Sequence, residues 1–410
     1  MSSIIVFIFS FLFLSCNGNI DNKFNTDNFS AQSEYTPSTV DPIIPAAERL
    51  QLYLPDLKNK KVGIVVNQTS IVNSVHLVDT LLSLDINIHR IFSPEHGFKG
   101  SADAGEKVED GLYNGIEVIS LYGKNRKPSD SQIKDLDVII FDIQDVGVRF
   151  YTYISTMTYV MEVVAKNSLP IIVLDRPNPN GFYVDGPILE EEFESFVGLH
   201  AVPVVYGMTM GEYAQMINGE AWLANGINAD LTVVPCKNYD HTMTYDLPVK
   251  PSPNLPNLKS ILLYPSLCFF EGTTLSIGRG TNKQFQMIGH PSAQGKPFSF
   301  IPKPGPGSAN PKLNGEPCFG EDLSLLDVNT LTNRKELNID YLIDYYHILK
   351  KNNSQFFNQN NFFEKLAGTK KLRESIINGL TASEIKETWK VDILKFKQTR
   401  KKYLLYQDFE

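Results

Sequence analysis

Three apolar runs in this chain each break abruptly into a dense polar group. Ile88 to Phe92 leads into Ser93-Pro94-Glu95-His96-Gly97-Phe98-Lys99-Gly100, and Asp137 to Phe141 into Asp142-Ile143-Gln144-Asp145-Val146-Gly147-Val148-Arg149. Pro170 to Leu174 leads into Asp175-Arg176-Pro177-Asn178-Pro179-Asn180-Gly181. Glu95, Asp142, Asp145 and Asp175 are carboxyl groups of the kind that move protons or act as nucleophiles. Arg149 and Arg176 fit an anionic ligand group bidentately. Asn178 and Asn180, stiffened by prolines, present amides to hydroxyl groups or simply build a turn. His96 either bonds a ligand or holds its own loop. The same residues also have a structural reading. Asp142 and Asp145 end a buried strand, where a carboxylate needs a partner; Arg149 and the start of the following helix are natural ones. Asp175 and Arg176 divide in the same way. No His-Glu-x-x-His or comparable ligand set occurs, so no metal site is expected. Gly-x-Gly-x-x-Gly follows none of these runs and there is no Walker loop, so no nucleotide cofactor is expected either.

Such loops need a scaffold that gathers them. Apolar runs at Lys61–Val66, Ile88–Phe92, Val118–Leu121, Asp137–Phe141, Pro170–Leu174 and Leu231–Val234 alternate with helical patterns at Val75–Leu84, Tyr151–Lys166 and, after a capping box of Thr209 and Glu212, up to Leu223. This predicts an α/β protein with a mainly parallel sheet covered on both faces. In such sheets ligands sit outside the carboxyl ends of the strands, so the three polar loops should share one rim. Val202–Tyr206 reads as one more strand. Four prolines from Leu247 to Leu258 make a rigid segment, and Pro302–Gly315 is rich in Pro and Gly. Helices follow at Asp340–Lys350, Phe362–Gly368, Lys370–Leu380 and Ala382 to about Lys401, the last burying Ile393, Leu394 and Phe396.

With 410 residues, 42 % of them apolar and 20 % charged, the chain has ordinary globular usage and room for two domains. The expected organisation is residues 1–16 as a signal peptide, 17–45 as a flexible tether, 46–240 as the α/β domain and 241–410 as a smaller α+β domain. The formal charge is −8, divided as −13 before Leu331 and +5 from there on. That acidity argues against nucleic acid as a partner. Ile4 to Leu14 is short for a membrane span but suits a signal peptide, and Ser15-Cys16 at its end resembles a lipoprotein cleavage box. Cys16 is therefore the expected lipidation site, which would place the protein in the cell envelope as a membrane-anchored lipoprotein, or else as a periplasmic or secreted protein. Cys236, Cys268 and Cys318 read as buried free thiols.

Ser93-Pro94-Glu95-His96-Gly97, Phe141 to Tyr153, Leu174-Asp175-Arg176-Pro177-Asn178-Pro179, Pro251-Ser252-Pro253-Asn254 and Glu271 to Thr281 (Glu-Gly-Thr-Thr-Leu-Ser-Ile-Gly-Arg-Gly-Thr) occur in this order. Together they resemble the exo-β-N-acetylmuramidase family of the NamZ type, over roughly Ala47 to the C-terminus. The resemblance implies a Rossmann-like first domain, a smaller C-terminal domain and a cleft between them. It also implies an exo-acting glycoside hydrolase that releases N-acetylmuramic acid from the non-reducing end of peptidoglycan fragments, and it maps the proposed catalytic glutamate onto Glu95. Glycoside hydrolysis needs an acid for the leaving oxygen and usually a second carboxylate. Asp142, Asp145, Asp175 and Glu271 are candidates for the second, and the substrate's own 2-acetamido group is the alternative nucleophile. Muramic acid carries a lactyl carboxylate, for which Arg149, Arg176 and Arg279 are the candidate cations. Tyr122, Tyr151 and Tyr153 either stack on a sugar or pack internally. Glu271 and Arg279 form either a loop salt bridge or a substrate contact. No cofactor is required. Two other readings share these features: a non-catalytic lipoprotein that captures muropeptides, and a hydrolase of a different cell-wall bond.

Overall fold

The computed structural model describes residues 41–103, 106, 110–123 and 125–410, so the signal peptide, Cys16 and nearly all of the tether lie outside the described residues. The strands of the first half are β1 (Val62–Val66), a two-residue hairpin of β2 (Ile71–Val72) and β3 (Val75–His76), β4 (Ile88–Ser93), β5 (Gly111–Tyr113), β6 (Ile116–Ser120), β7 (Val138–Asp142), β8 (Ile171–Leu174) and β9 (Leu231–Val234). Seven of them form one sheet in the order β5-β6-β4-β1-β7-β8-β9. Every pairing is parallel except β5 with β6 at one edge. Without β5, the spatial order of the six parallel strands is 3-2-1-4-5-6, that of a Rossmann fold. Strand composition explains the two covered faces. In β1, Val65 joins one apolar cluster while Val62, Ile64 and Val66 join another. In β7, Ile139 and Phe141 go with the first and Val138 and Ile140 with the second. Side chains alternate across a strand, so a run that is apolar at every position feeds a core on each side.

The capping box expected at Thr209 and Glu212 starts the helix Met210–Gly219. Val202–Tyr206 corrects the prediction: it forms no strand of the sheet, and Val205 makes only isolated bridges to Val148 and Asp185. A helix unanticipated in the sequence, Leu258–Leu267, begins at an Asn257 cap that accepts from the Ser260 N–H. Beyond it, β10 (Met287–His290), β11 (Phe298–Phe300) and β12 (Cys318–Asp322) form a small antiparallel sheet in the order β10-β12-β11. The helices Asp340–Lys351, Phe362–Ala367, Lys371–Ile377 and Ala382–Arg400 complete the α+β half. The last buries Ile393 and Phe396, as its periodicity predicts, but leaves Leu394 exposed.

After that helix the chain returns to the first sheet. The Tyr406 hydroxyl donates to Asp175 Oδ2 at 2.6 Å, and the Leu405 N–H donates to Glu212 Oε1 at 2.8 Å. Arg400, 1 % exposed, is paired with Asp408 and donates to the Gly207 carbonyl. Pro42–Glu410 is accordingly one compact unit. Cys236, Cys268 and Cys318 are free and buried.

Candidate active site

A cleft of about 1040 Å³ opens where the loops after β4 and β7 meet the segments 252–255, 264–285, 307–312 and 362–366. Glu95 reaches it because β4 ends at Ser93 and the chain then turns sharply. His96 and Gly97 both have left-handed backbones, φ 69° and 74°, and His96 Nδ1 pairs with the Ala102 carbonyl at 2.7 Å, closing the loop. Burial lowers the His96 pKa, and the neighbouring Glu95 charge opposes that shift. Glu95 is half-buried, and its Oε2 accepts from the Thr152 hydroxyl at 2.8 Å. Thr152 is the residue preceding the helix Tyr153–Lys166, whose N-terminus favours a negative group.

Tyr151 and Tyr153 also line the cleft, but their hydroxyls are committed. Both donate to the Pro251 carbonyl, at 2.8 and 3.3 Å, and Tyr153 lies 3.5 Å from the Glu95 carbonyl. Their rings pack edge to face, 4.8 Å between centroids. Glu271 and Arg279 stand in the cleft as an ion pair at 2.5 Å, with Arg279 stacked 5.3 Å over Phe285. The salt-bridge and substrate-contact readings of this pair are thus compatible. Tyr122 lies toward Phe196, over whose ring Arg126 is stacked.

Six residues that the sequence placed on the shared rim do not line the cleft; they form the buried scaffold beneath it. Asp142 is fully buried and paired with Arg176 through two bonds, Nε to Oδ1 at 2.6 Å and Nη2 to Oδ2 at 2.8 Å. This ties the ends of β7 and β8 together. Its partner is Arg176, not the Arg149 expected from sequence. Arg149, with 0 % exposure, donates instead to four carbonyls: Pro187, Val202, Leu366 and Ala367. Burial brings its pKa down to about 9. Asp145 accepts from the Tyr206 hydroxyl and the Gly147 N–H, and burial pushes its carboxyl up to about 6. Asp175 accepts from Thr209, the Gly211 N–H and Tyr406, and burial followed by the nearby Glu212 charge likewise raises it to about 6. Asn178 donates to the Met208 carbonyl and accepts from the Asn180 N–H. The physical reason is common to all six: each finds hydrogen-bond partners within the fold, although Asp145 Oδ1 and Arg149 Nε have none among the described residues.

The cleft also contains residues that sequence reasoning missed. Thr152 lay within a quoted motif without a role. Lys312, in the Pro/Gly-rich stretch, donates to the carbonyls of Phe270, Glu271 and Thr273 at 2.6–3.0 Å, and burial lowers its pKa. Nothing in its local sequence marks it. Among the described residues, no group of three or more His, Cys, Asp or Glu is arranged to hold a metal ion. Cys268 faces the cleft with its thiol pushed above the usual range by burial, which makes it a poor nucleophile. The arrangement offers carboxyl groups at Glu95, Asp103, Glu106 and Glu271, cations at Arg126, Arg279, Lys312 and Lys365, and an aromatic floor of Phe150, Tyr264 and Phe285.

Residues 62–259 match the family described as exo-beta-N-acetylmuramidase NamZ, N-terminal, and residues 262–406 match its C-terminal counterpart. The chain is 38 % identical over 405 residues to the peptidoglycan beta-N-acetylmuramidase NamZ of Bacillus subtilis (strain 168), covering 93 % of this chain and 94 % of the relative. Two crystal structures of Bacteroides fragilis proteins from a domain-of-unknown-function family share the fold. One has a TM-score of 0.83 and 47 % identity, covering 90 % of this chain and all of the other. The second has a TM-score of 0.75 and 29 % identity, covering 89 % of this chain and 99 % of the other. A Rossmann-like sheet with a smaller C-terminal region, matched by both halves of one family and by a relative of nearly equal length, means that the chain belongs to the NamZ family of β-N-acetylmuramidases and is a glycosidase.

Proposed function

We propose that the protein releases N-acetylmuramic acid from the non-reducing end of peptidoglycan fragments, with Glu95 as general acid/base. The observation that carries this reading is the position of Glu95: of the carboxyl groups weighed for catalysis, it and Glu271 line the cleft, Glu271 is engaged by Arg279, and the two further carboxyl groups there, Asp103 and Glu106, accept from the N–H groups of Ala309 and Asp103. A carboxyl group held by Thr152 at the cleft wall is placed to give its proton to a glycosidic oxygen and to activate water afterwards. Asp142, Asp145 and Asp175 are withdrawn into the scaffold, so of the candidates weighed Glu271 or the substrate's acetamido group takes the second role. Of the three arginines considered for the lactyl carboxylate, Arg279 lines the cleft and is assigned to it. Cys16, by its sequence setting, is proposed as a lipid anchor holding the enzyme at the cell envelope.

The test uses the purified protein and two disaccharides, one ending in N-acetylmuramic acid and its counterpart ending in N-acetylglucosamine. Wild type is expected to release sugar from the first alone, and Glu95→Gln from neither. No release by wild type overturns the proposed activity, and undiminished release by Glu95→Gln overturns the assignment of Glu95. Detergent phase partition of the full chain against Cys16→Ala tests the anchor, which fails if both partition alike.

A further inference from the structure

Asn254 lines the cleft and is only 2 % exposed, yet its Oδ1 has no hydrogen-bond partner among the described residues. Its orientation is set by the other end of the amide: Nδ2 donates to the Gly307 carbonyl at 2.7 Å. The backbone is fixed as well, because the Asn254 N–H donates to Ser252 Oγ at 3.1 Å. Gly307 has φ 79°, and a Cβ there would come within 2.7 Å of the Pro253 Cβ and 3.1 Å of Asn254 Nδ2, so its loop presses directly on the amide. One of the two amide N–H groups is taken by Gly307, and Oδ1 is left as an unpaired acceptor in the wall of the cleft. Buried polar atoms without partners are few in native structures, and an unpaired one inside a ligand site is satisfied by a donor on the ligand.

The surroundings narrow the class of that donor. Pro251, three residues earlier, accepts from Tyr151 and Tyr153, and Tyr153 in turn approaches the Glu95 carbonyl. The segment 251–254 is thereby fastened beside the acid. Leu255, Phe150, Tyr264 and Phe285, all buried, supply an apolar floor to the same cleft. A carboxylate has no hydrogen to give Oδ1 and would leave it unpaired. A hydroxyl would use Asn254 but leave the floor unmatched. A secondary amide with a small alkyl end satisfies both. Resting on the muramidase reading and deepening it, we infer that Asn254 accepts a hydrogen bond from the N–H of the 2-acetamido group on the sugar bound beside Glu95, with the acetamido methyl against the aromatic floor. Asn254 is then a specificity determinant for N-acetylated sugars, separate from the carboxylate site at Arg279.

The experiment compares two muramic-acid-terminated disaccharides, one with the natural 2-acetamido group and one with a 2-acetoxy group, which keeps the shape but lacks the N–H. Wild type is expected to lose at least about tenfold in kcat/KM on the acetoxy substrate. Asn254→Ala is expected to lose about tenfold on the natural substrate and to treat the two within twofold of each other. Discrimination of wild-type size in Asn254→Ala overturns the inference. Calorimetry on wild type alone, with N-acetylmuramic acid and its 2-acetoxy analogue, makes the test independent of how the variant folds. At least about fivefold weaker binding of the analogue supports the inference, and less than fivefold overturns it. If wild type releases no sugar from the natural disaccharide, the muramidase reading itself is what has failed.

Discussion

The Thr152 hydroxyl donates to Glu95 Oε2 across 57 residues of chain, so the carboxyl group on one loop of the sheet is held by the start of the helix that follows another. This couples the proposed acid to the largely buried helix Tyr153–Lys166.

Removing that hydroxyl should impair turnover more than binding. Thr152→Val is expected to lower kcat about tenfold with KM within twofold, the size of one lost hydrogen bond to an oriented carboxyl group. Thr152→Ser, which keeps the donor, should recover most of the loss. Steady-state kinetics on a muramic-acid-terminated disaccharide measure both, and a kcat unchanged in Thr152→Val would refute the positioning role.

Arg279 makes the opposite prediction. Arg279→Ala should raise KM at least tenfold for a substrate with the lactyl carboxylate while leaving a substrate without that group little affected. Arg279→Lys, lacking the planar fork, should restore only part of the affinity. Equal losses on both substrates would place Arg279 in loop architecture alone, as the partner of Glu271.

The Asp142–Arg176 pair is predicted to act on stability. Both side chains are at most 2 % exposed, so Arg176→Met leaves a buried carboxylate without its cation and should cost about 3–5 kcal/mol. Urea unfolding measures the loss. Below its melting range the folded variant should keep KM within twofold of wild type, whereas a large rise in KM would return Arg176 to the list of substrate contacts.

Asp145 should make stability depend on pH in an unusual direction. Its folded pKa of about 6 lies above the ordinary 3.8, so the folded protein holds that proton more tightly than the unfolded chain. The stability from this group is present in full below about pH 4 and is lost as pH rises through 6, about 3 kcal/mol in all. Asp145→Asn carries no charge at either end. Relative to wild type, the variant should therefore gain about 3 kcal/mol between pH 4 and pH 7 in urea unfolding, while the identical Asp175 contribution cancels. A difference that does not change with pH would contradict the buried-charge account.

What could be read from the sequence was what is local. β1, β7 and β8 are runs of Val and Ile at almost every position, and such runs have few alternatives to a strand buried on both faces. Val202–Tyr206 is also rich in Val but contains Pro203, which cannot donate to a ladder, and it ends up threaded between Val148 and Asp185. β10 and β12 were missed because Gly289, Gly320, Glu321 and Asp322 break any alternation within them. Polar residues at strand ends were read as one rim. The structure divides them: Glu95 lines the cleft, whereas Asp142 and Arg176 pair with each other and Asp175 is satisfied by Thr209, the Gly211 N–H and Tyr406. That division depends on which groups meet in space. Lys312 went unmarked, and Asn254 lay in a quoted motif without a role, for the same reason, since their roles follow from carbonyl partners roughly 40 to 50 residues away.

The Tyr406–Asp175 hydrogen bond has a consequence for synthesis. Asp175 sits at the end of β8, and its buried carboxyl receives the Tyr406 hydroxyl only after 231 further residues have been made. At ordinary elongation rates that is a delay of about 10–50 s. During that interval the nascent sheet carries strand ends whose polar groups await the chain's last turn, so the first half of the protein is translated early but sealed late.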